Sequence, residues 1–284
     1  MNPGTFSNEV NGITVVSACR AWLVGAYKIG GWVPLAERWN GSSWIQTTIP
    51  DGGGVVHDNF LYTASARTAD DVWAVGDYDH GDSSFAHFTL IERWSGSSWF
   101  QVPSPNPGGT SHNNLLRGVA TVSVTNAWAV GSCSNGTAAQ TLILHWNGPA
   151  WRRVKAPSPG GASHDSALSS VTATSVTNAW VVGSYSHGQL THTLILHWNG
   201  KSLKQVPSPS PRGCVPGDQL ASVTATSPAN AWAAGSFTGC FFLAPLVLIE
   251  HWNGKDWKTV PGPKLSSDTN RLTGVAAISA GVSH

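Results

Sequence analysis

Histidine recurs in register along this chain. In VHDNFL, SHNNLL and SHDSAL, residues His57, His112 and His164 each stand four before a leucine, namely Leu61, Leu116 and Leu168. Two later copies place Pro216 and Asp268 at that position. Asp58, Asn113 and Asp165 follow the histidines, and Asp218 sits two before Leu220. Imidazoles gathered round one axis could bind Zn, Fe or Mn, exchange protons, or hydrogen-bond a ligand. The plainer alternative is that the S-H-D/N step caps a turn and was copied with its repeat.

A second set lies further along each repeat. His80 and His187 both fall seven residues after a tryptophan, close to Tyr78 and Tyr185, with Asp77, His87 and His192 nearby. The DYDHGD run over Asp77–Asp82 is dense in acid but lacks the spacing of a calcium loop, which favours a solvated turn. Trp32 stands outside the tryptophan pattern described below and is the candidate for stacking on a ligand. His145, His197 and His251 precede tryptophans at a position held elsewhere by Arg38 and Arg93, so they read as structural. No G-x-S-x-G, H-E-x-x-H or phosphate loop occurs. The glutamates Glu9, Glu37, Glu92 and Glu250 avoid the variable loops. A paired-carboxylate glycosidase would therefore depend on Asp58, Asp165, Asp218 or Asp268.

The elements that carry these residues repeat with a period near fifty. Trp22, Trp73, Trp128, Trp180 and Trp232 follow one another at steps of 51, 55, 52 and 52 residues. Each period reads as four short strands, A to D: L-x-x-V-x-A-x-S, then AWxVG, then LIxHW, then a strand opening on Trp44, Trp99, Trp151, Leu203 or Trp257. An N-G or S-G step between C and D signals a hairpin, and V-P or V-P-S-P closes D, as suits an edge strand. This is the pattern of a β-propeller. The expectation is one all-β domain over 1–284, a five-bladed propeller of four antiparallel strands per blade. Its blades cover roughly 10–50, 58–104, 113–158, 165–208 and 217–261, and a C-terminal strand at 271–279 closes the first blade in preference to Val10–Ser17. In such a blade the D–A and B–C loops emerge together. They hold the variation, so function is expected there.

The run NAWxVG followed by LxHWNGxxWxxVPSP resembles the Kelch group of propellers, with a single glycine where Kelch repeats usually carry a pair. The blade number is similar to that of tachylectin-type five-bladed lectins, and five-bladed glycosidases share the architecture. The resemblance implies a fold and leaves the activity open.

Composition narrows the partners. Charged residues make up 11% of the chain and the net charge is +1, so no basic stripe for nucleic acid is present. No apolar run is long enough for a membrane helix. Cys19, Cys133, Cys214 and Cys240 fit no metal spacing, and Cys214 with Cys240, both in loops of the fifth blade, form the expected disulfide. The opening MNPGTFSNEV has no signal-peptide pattern. A secreted, bacterial-type protein whose signal lies outside this sequence is expected, the alternative being a cytoplasmic one. The expected function is lectin-like glycan or small-molecule binding through His57, His112, His164, His80, His187, Tyr78, Tyr185 and Trp32. The alternative is a metal- or His-dependent hydrolase or lyase at the channel mouth around His57, His112 and His164.

Overall fold

The computed structural model describes residues 7–54, 57–79, 81, 86–211, 217–238, 245–263 and 270–278. These residues form five four-stranded sheets, and the chain divides into two compact units. Unit 1 is Met1–Gly136 with Leu142–Val154, and unit 2 is Thr137–Thr141 with Lys155–His284. The first sheet holds β1 (Asn8–Ser17), β2 (Arg20–Lys28), β3 (Trp32–Trp39) and β4 (Trp44–Gln46). The second holds β5 (Asn59–Thr68), β6 (Asp71–Asp79), β7 (His87–Trp94) and β8 (Trp99–Gln101). The third holds β9 (Asn114–Ser123), β10 (Asn126–Ser134), β11 (Ala139–Trp146) and β12 (Trp151–Arg153). In unit 2, β13 (Ser166–Ser175), β14 (Asn178–His187), β15 (Leu190–Trp198) and β16 (Leu203–Val206) make the fourth sheet. The fifth is β17 (Gln219–Ser227), β18 (Asn230–Thr238), β19 (Pro245–Trp252) and β20 (Trp257–Thr259). Every sheet runs in chain order, the arrangement expected of blades A to D.

Local chemistry explains the strand boundaries. In β6 a Cβ on Gly76 would lie 1.8 Å from the Phe60 carbonyl oxygen, so only glycine lets β5 approach there. The register slips by one residue at that point, between Leu61 and Thr63, and the same slip recurs beside Gly25, Gly131, Gly183 and Gly235. At the C–D hairpins the Asn40 Oδ1 accepts the amides of Ser42 and Ser43 at 2.9 Å, and Gly41 takes φ of +101°. Strands D are short, and β16 stops just before Pro207.

Tryptophan fills the space between successive sheets. Trp22 lies 4.8 Å from Trp94 and 5.2 Å edge-on from Trp99. Trp73 meets Trp146 and Trp151 in the same way, and Trp180 meets Trp252 and Trp257. Trp22, Trp73, Trp128 and Trp180 are the largest fully buried side chains. A cation or imidazole covers the indole within the same sheet: the Arg93 guanidinium lies 4.7 Å from the Trp73 ring, and His197 stacks 4.0 Å from Trp180. The His/Arg position is therefore structural, and its anchor changes with it. His197 Nε2 pairs with Asn178 Oδ1 and His251 Nε2 with Asn230 Oδ1, whereas Arg93 is held by Asp71.

The two terminal copies of strand A do not compete. β1 fills the inner position of the first blade, with Val10 opposite Gly25 and Ile13 opposite Leu23. The C-terminal copy instead runs beside β17. Val275 N donates to Ser222 Oγ at 3.2 Å, as Val223 N donates to Ser170 Oγ at 3.3 Å one step earlier. The segment 270–278 thus lies along the inner edge of the fifth sheet while β1 fills the first, which corrects the expectation that 271–279 closes the first. The expected Cys214–Cys240 bridge lies outside the described residues, as do His80 and Asp268. Of the other two cysteines, Cys19 is exposed and Cys133 buried, and both are free.

Candidate functional site

The repeated histidine motif is a turn clasp. Asn59, Asn114 and Ser166, two residues after the histidines, are fully buried and accept the amides of Gly53, Gly108 and Gly160 at 2.9, 2.7 and 3.0 Å. Asn59 and Asn114 also donate to the carbonyls of His57 and His112. The intervening residue reaches the start of a strand C: Asp58 accepts Trp32 N at 3.1 Å, Asn113 accepts His87 N at 3.0 Å, and Asp165 accepts Ala139 N at 2.8 Å. A buried amide without a partner is costly, which accounts for the copying of this step with each repeat.

The imidazoles pack locally as well. His57 lies over Gly81 of its own blade, where any Cβ would strike the ring, with Nδ1 3.4 Å from Asp79 Oδ1. His112 Nδ1 is held by Ser111 Oγ and Gly108 O, against Gly136. His164 pairs with Ser163 Oγ, and its ring is 6.4 Å from that of His187. Tyr185 contacts His192, and Tyr78 contacts Phe88. Among the described residues, no three of His, Cys, Asp and Glu gather to hold a metal ion. Asp218 occupies the Asn59 position, where Ser210 Oγ donates to it at 2.9 Å and burial pushes its carboxyl upward.

Chemistry gathers instead where the repeat breaks down, all within unit 1. Phe60 and Tyr62 flank the buried Leu61 on β5 and so share one face. Their rings stack at 6.1 Å and 14°, and Trp32 lies 5.4 Å from Phe60. At the other end the Arg117 guanidinium sits 3.8 Å from the Tyr62 ring centre. Trp32, Phe60, Tyr62 and Arg117 form a continuous row drawn from β3, β5 and β9. Lys28 Nζ is 5.9 Å from the Trp32 ring.

Beside the row lies a carboxylate–imidazole pair. Asp77 is fully buried, and its Oδ2 is 2.7 Å from His87 Nδ1. Asp77 Oδ1 has no hydrogen bond among the described residues and faces Arg117 Nη1 at 3.7 Å. The hydrogen bond to Asp77 raises the His87 pKa above its usual value against the opposing effect of burial, with the charges of Asp77, Asp79 and Asp58 assisting. Burial, then the charge of Asp77, raises that of Tyr62, with Arg117 opposing. A buried carboxylate on Nδ1 fixes the ring and leaves Nε2 for a ligand or a proton.

Of the residues singled out from the sequence, Trp32, Asp77 and His87 fall here. Phe60, Tyr62 and Arg117 were missed, although the signal was present as departure from register. Where Tyr62 and Arg117 stand, other blades carry Asn11, Ser169 and Ala221; at the Asp77 position they carry Ala26, Ser132, Ser184 and Ser236.

No protein-family description matches the chain, and no curated protein does. Solved structures match in fold. The GH74 xyloglucanase from Xanthomonas campestris superposes with a TM-score of 0.55 at 13% identity, over 89% of this chain and 38% of that one. A fucose-specific lectin from Aleuria aurantia gives 0.55 at 12% identity, over 96% of this chain and 81% of that one. Another structure of the Aleuria lectin, described as a six-bladed β-propeller, gives 0.51 at 13% identity over 94% of this chain. The protein is an all-β propeller. The five-bladed expectation is corrected: the lectin neighbour has six blades, and 270–278 lies along the inner edge of the fifth sheet while β1 fills the first.

Proposed function

We propose that this chain is a secreted, glycan-binding β-propeller that seats a saccharide against the Trp32–Phe60–Tyr62 row at the D–A/B–C end of its second blade. The observation that carries this reading is the row itself. Half-exposed aromatic rings in contact offer the apolar faces on which sugars stack, with polar groups beside them to fix orientation. Blade 2 is the only one of the five with two aromatics flanking the strand-A leucine. Similarity in fold to a fucose lectin and a xyloglucanase is consistent with a carbohydrate ligand. Low charge and richness in small polar residues suit an extracellular protein, and the repeats remain similar in type to Kelch repeats on the motif alone.

The test is a glycan array followed by titration of the hits, read by tryptophan fluorescence. Trp32→Ala should weaken binding at least tenfold while the thermal midpoint stays within a few degrees. Binding unaffected by Trp32→Ala would sink this placement. The Asp77–His87 pair favours a second reading, acid–base cleavage of the bound glycan. It requires that the wild type shorten a bound oligosaccharide and that His87→Ala bind it without shortening it.

A further inference from the structure

We propose that the saccharide seated on this row carries a carboxylate, as a uronic-acid unit does, and that Arg117 is the residue that selects it. The inference rests on the glycan-binding reading and adds the ligand's chemical class. The aromatic row ends in a guanidinium whose flat face is taken up by the Tyr62 ring. Nη1 faces the buried Asp77 Oδ1 at 3.7 Å, and the rest of the N–H edge is left for an acceptor. A planar carboxylate matches that edge with two parallel hydrogen bonds, a geometry that a sugar hydroxyl does not supply.

The surrounding acids do not cancel this charge. Asp58 is engaged by the Trp32 amide. Asp79 accepts the amides of Asp58 and Gly81 and lies 3.4 Å from His57 Nδ1. Asp77 is committed to His87 at 2.7 Å and stands off Arg117 at 3.7 Å. With Asp77 Oδ2 taken by His87 and Oδ1 3.7 Å away, no acid among the described residues is hydrogen-bonded to the Arg117 guanidinium. Its side chain is 38% exposed, whereas Asp77 is wholly covered, so an incoming group meets the guanidinium before the carboxylate. Arg117 is also foreign to its position, where the other four blades carry asparagine, tyrosine, serine and alanine.

The experiment is calorimetric titration of the full chain. Oligosaccharides of galacturonate, glucuronate and mannuronate are each compared with the same oligomer after reduction of its carboxylates to primary alcohols. At least one acidic form should bind tenfold or more tightly than its reduced partner. Arg117→Ala should abolish that preference, Arg117→Lys should keep part of it, and Trp32→Ala should weaken acidic and reduced forms alike. Equal affinity for a pair, or tighter binding of the reduced form, overturns the selectivity and leaves the glycan-binding reading standing. Failure of every oligosaccharide, acidic or neutral, together with a blank glycan array overturns both. A preference that survives Arg117→Ala in protein with an unchanged thermal midpoint removes Arg117 from the role.

Discussion

At the scale of single residues, this chain spends its buried charge unevenly. Glu92 is fully buried, and neither of its carboxyl oxygens has a hydrogen-bond partner among the described residues. The equivalent Glu250 accepts Ser208 Oγ at 3.0 Å, and the residue standing in the place of Ser208 toward Glu92 is Ile49. Burial raises the Glu92 pKa from 4.5 to about 9, so the side chain is held neutral at pH 7. The unfolded chain then ionises first. Between the unfolded and folded pKa values the native state binds more protons, and stability falls as pH rises, by up to about 1.4 kcal/mol per pH unit from this group. Leu144 and Leu196 occupy the same register in two other blades and are fully buried. Glu92→Leu should therefore stabilise the protein by about 2 kcal/mol at pH 7. It should also remove that group's share of the decline between pH 5 and 9 in denaturant titrations. An unchanged slope would mean that Glu92 already titrates normally.

At the scale of elements, strands and hairpins were legible in the sequence because they depend on short-range chemistry repeated many times. Glycine at the bulge, N-G at the hairpin and proline after the edge strand each name their own position. The indole packing was legible too, since a period near fifty brings like residues to like places in successive sheets. The fate of the last strand-A copy was not. LTGVAAIS is equally suited to the first blade or to a further one, and the choice depends on which flank is open rather than on any residue within it. The tryptophan positions give a graded test. Trp180 is 1% exposed between Trp252 and Trp257, so Trp180→Ala should cost about 3–5 kcal/mol. Trp232, in the last complete sheet, is only half-buried and stacks 4.1 Å from His251, so Trp232→Ala should cost less than half as much. Equal losses in parallel urea titrations would show that the two positions are packed alike.

At the scale of the whole molecule, a repeat protein separates what is copied from what is not, and this bears on how function could be read from its sequence. The copied histidines drew attention because they share a register, yet copying is what a structural clasp requires. The Asn59, Asn114 and Ser166 side chains explain the motif without any ligand. The candidate site is built instead of unshared residues: Trp32, Phe60, Tyr62, Asp77, His87 and Arg117. Tyr62, Asp77, His87 and Arg117 come from four different strands, so no local motif announces them; only the topology brings them together. Blade 4 supplies an internal control, with Ser169 at the position of both Tyr62 and Arg117, Ser184 at that of Asp77, and Thr191 at that of His87. Grafting those identities as Tyr62→Ser, Asp77→Ser, His87→Thr and Arg117→Ser removes a buried carboxylate together with its partners. The cost of leaving one of them unpaired is thereby avoided. The quadruple variant should keep the wild-type fold by circular dichroism and lose no more than about 1 kcal/mol of stability, while glycan binding falls below detection. Asp77→Ser alone should be less forgiving, because it leaves His87 without its carboxylate partner. If instead the quadruple variant unfolds while each single change is tolerated, the cluster belongs to the scaffold and holds no ligand.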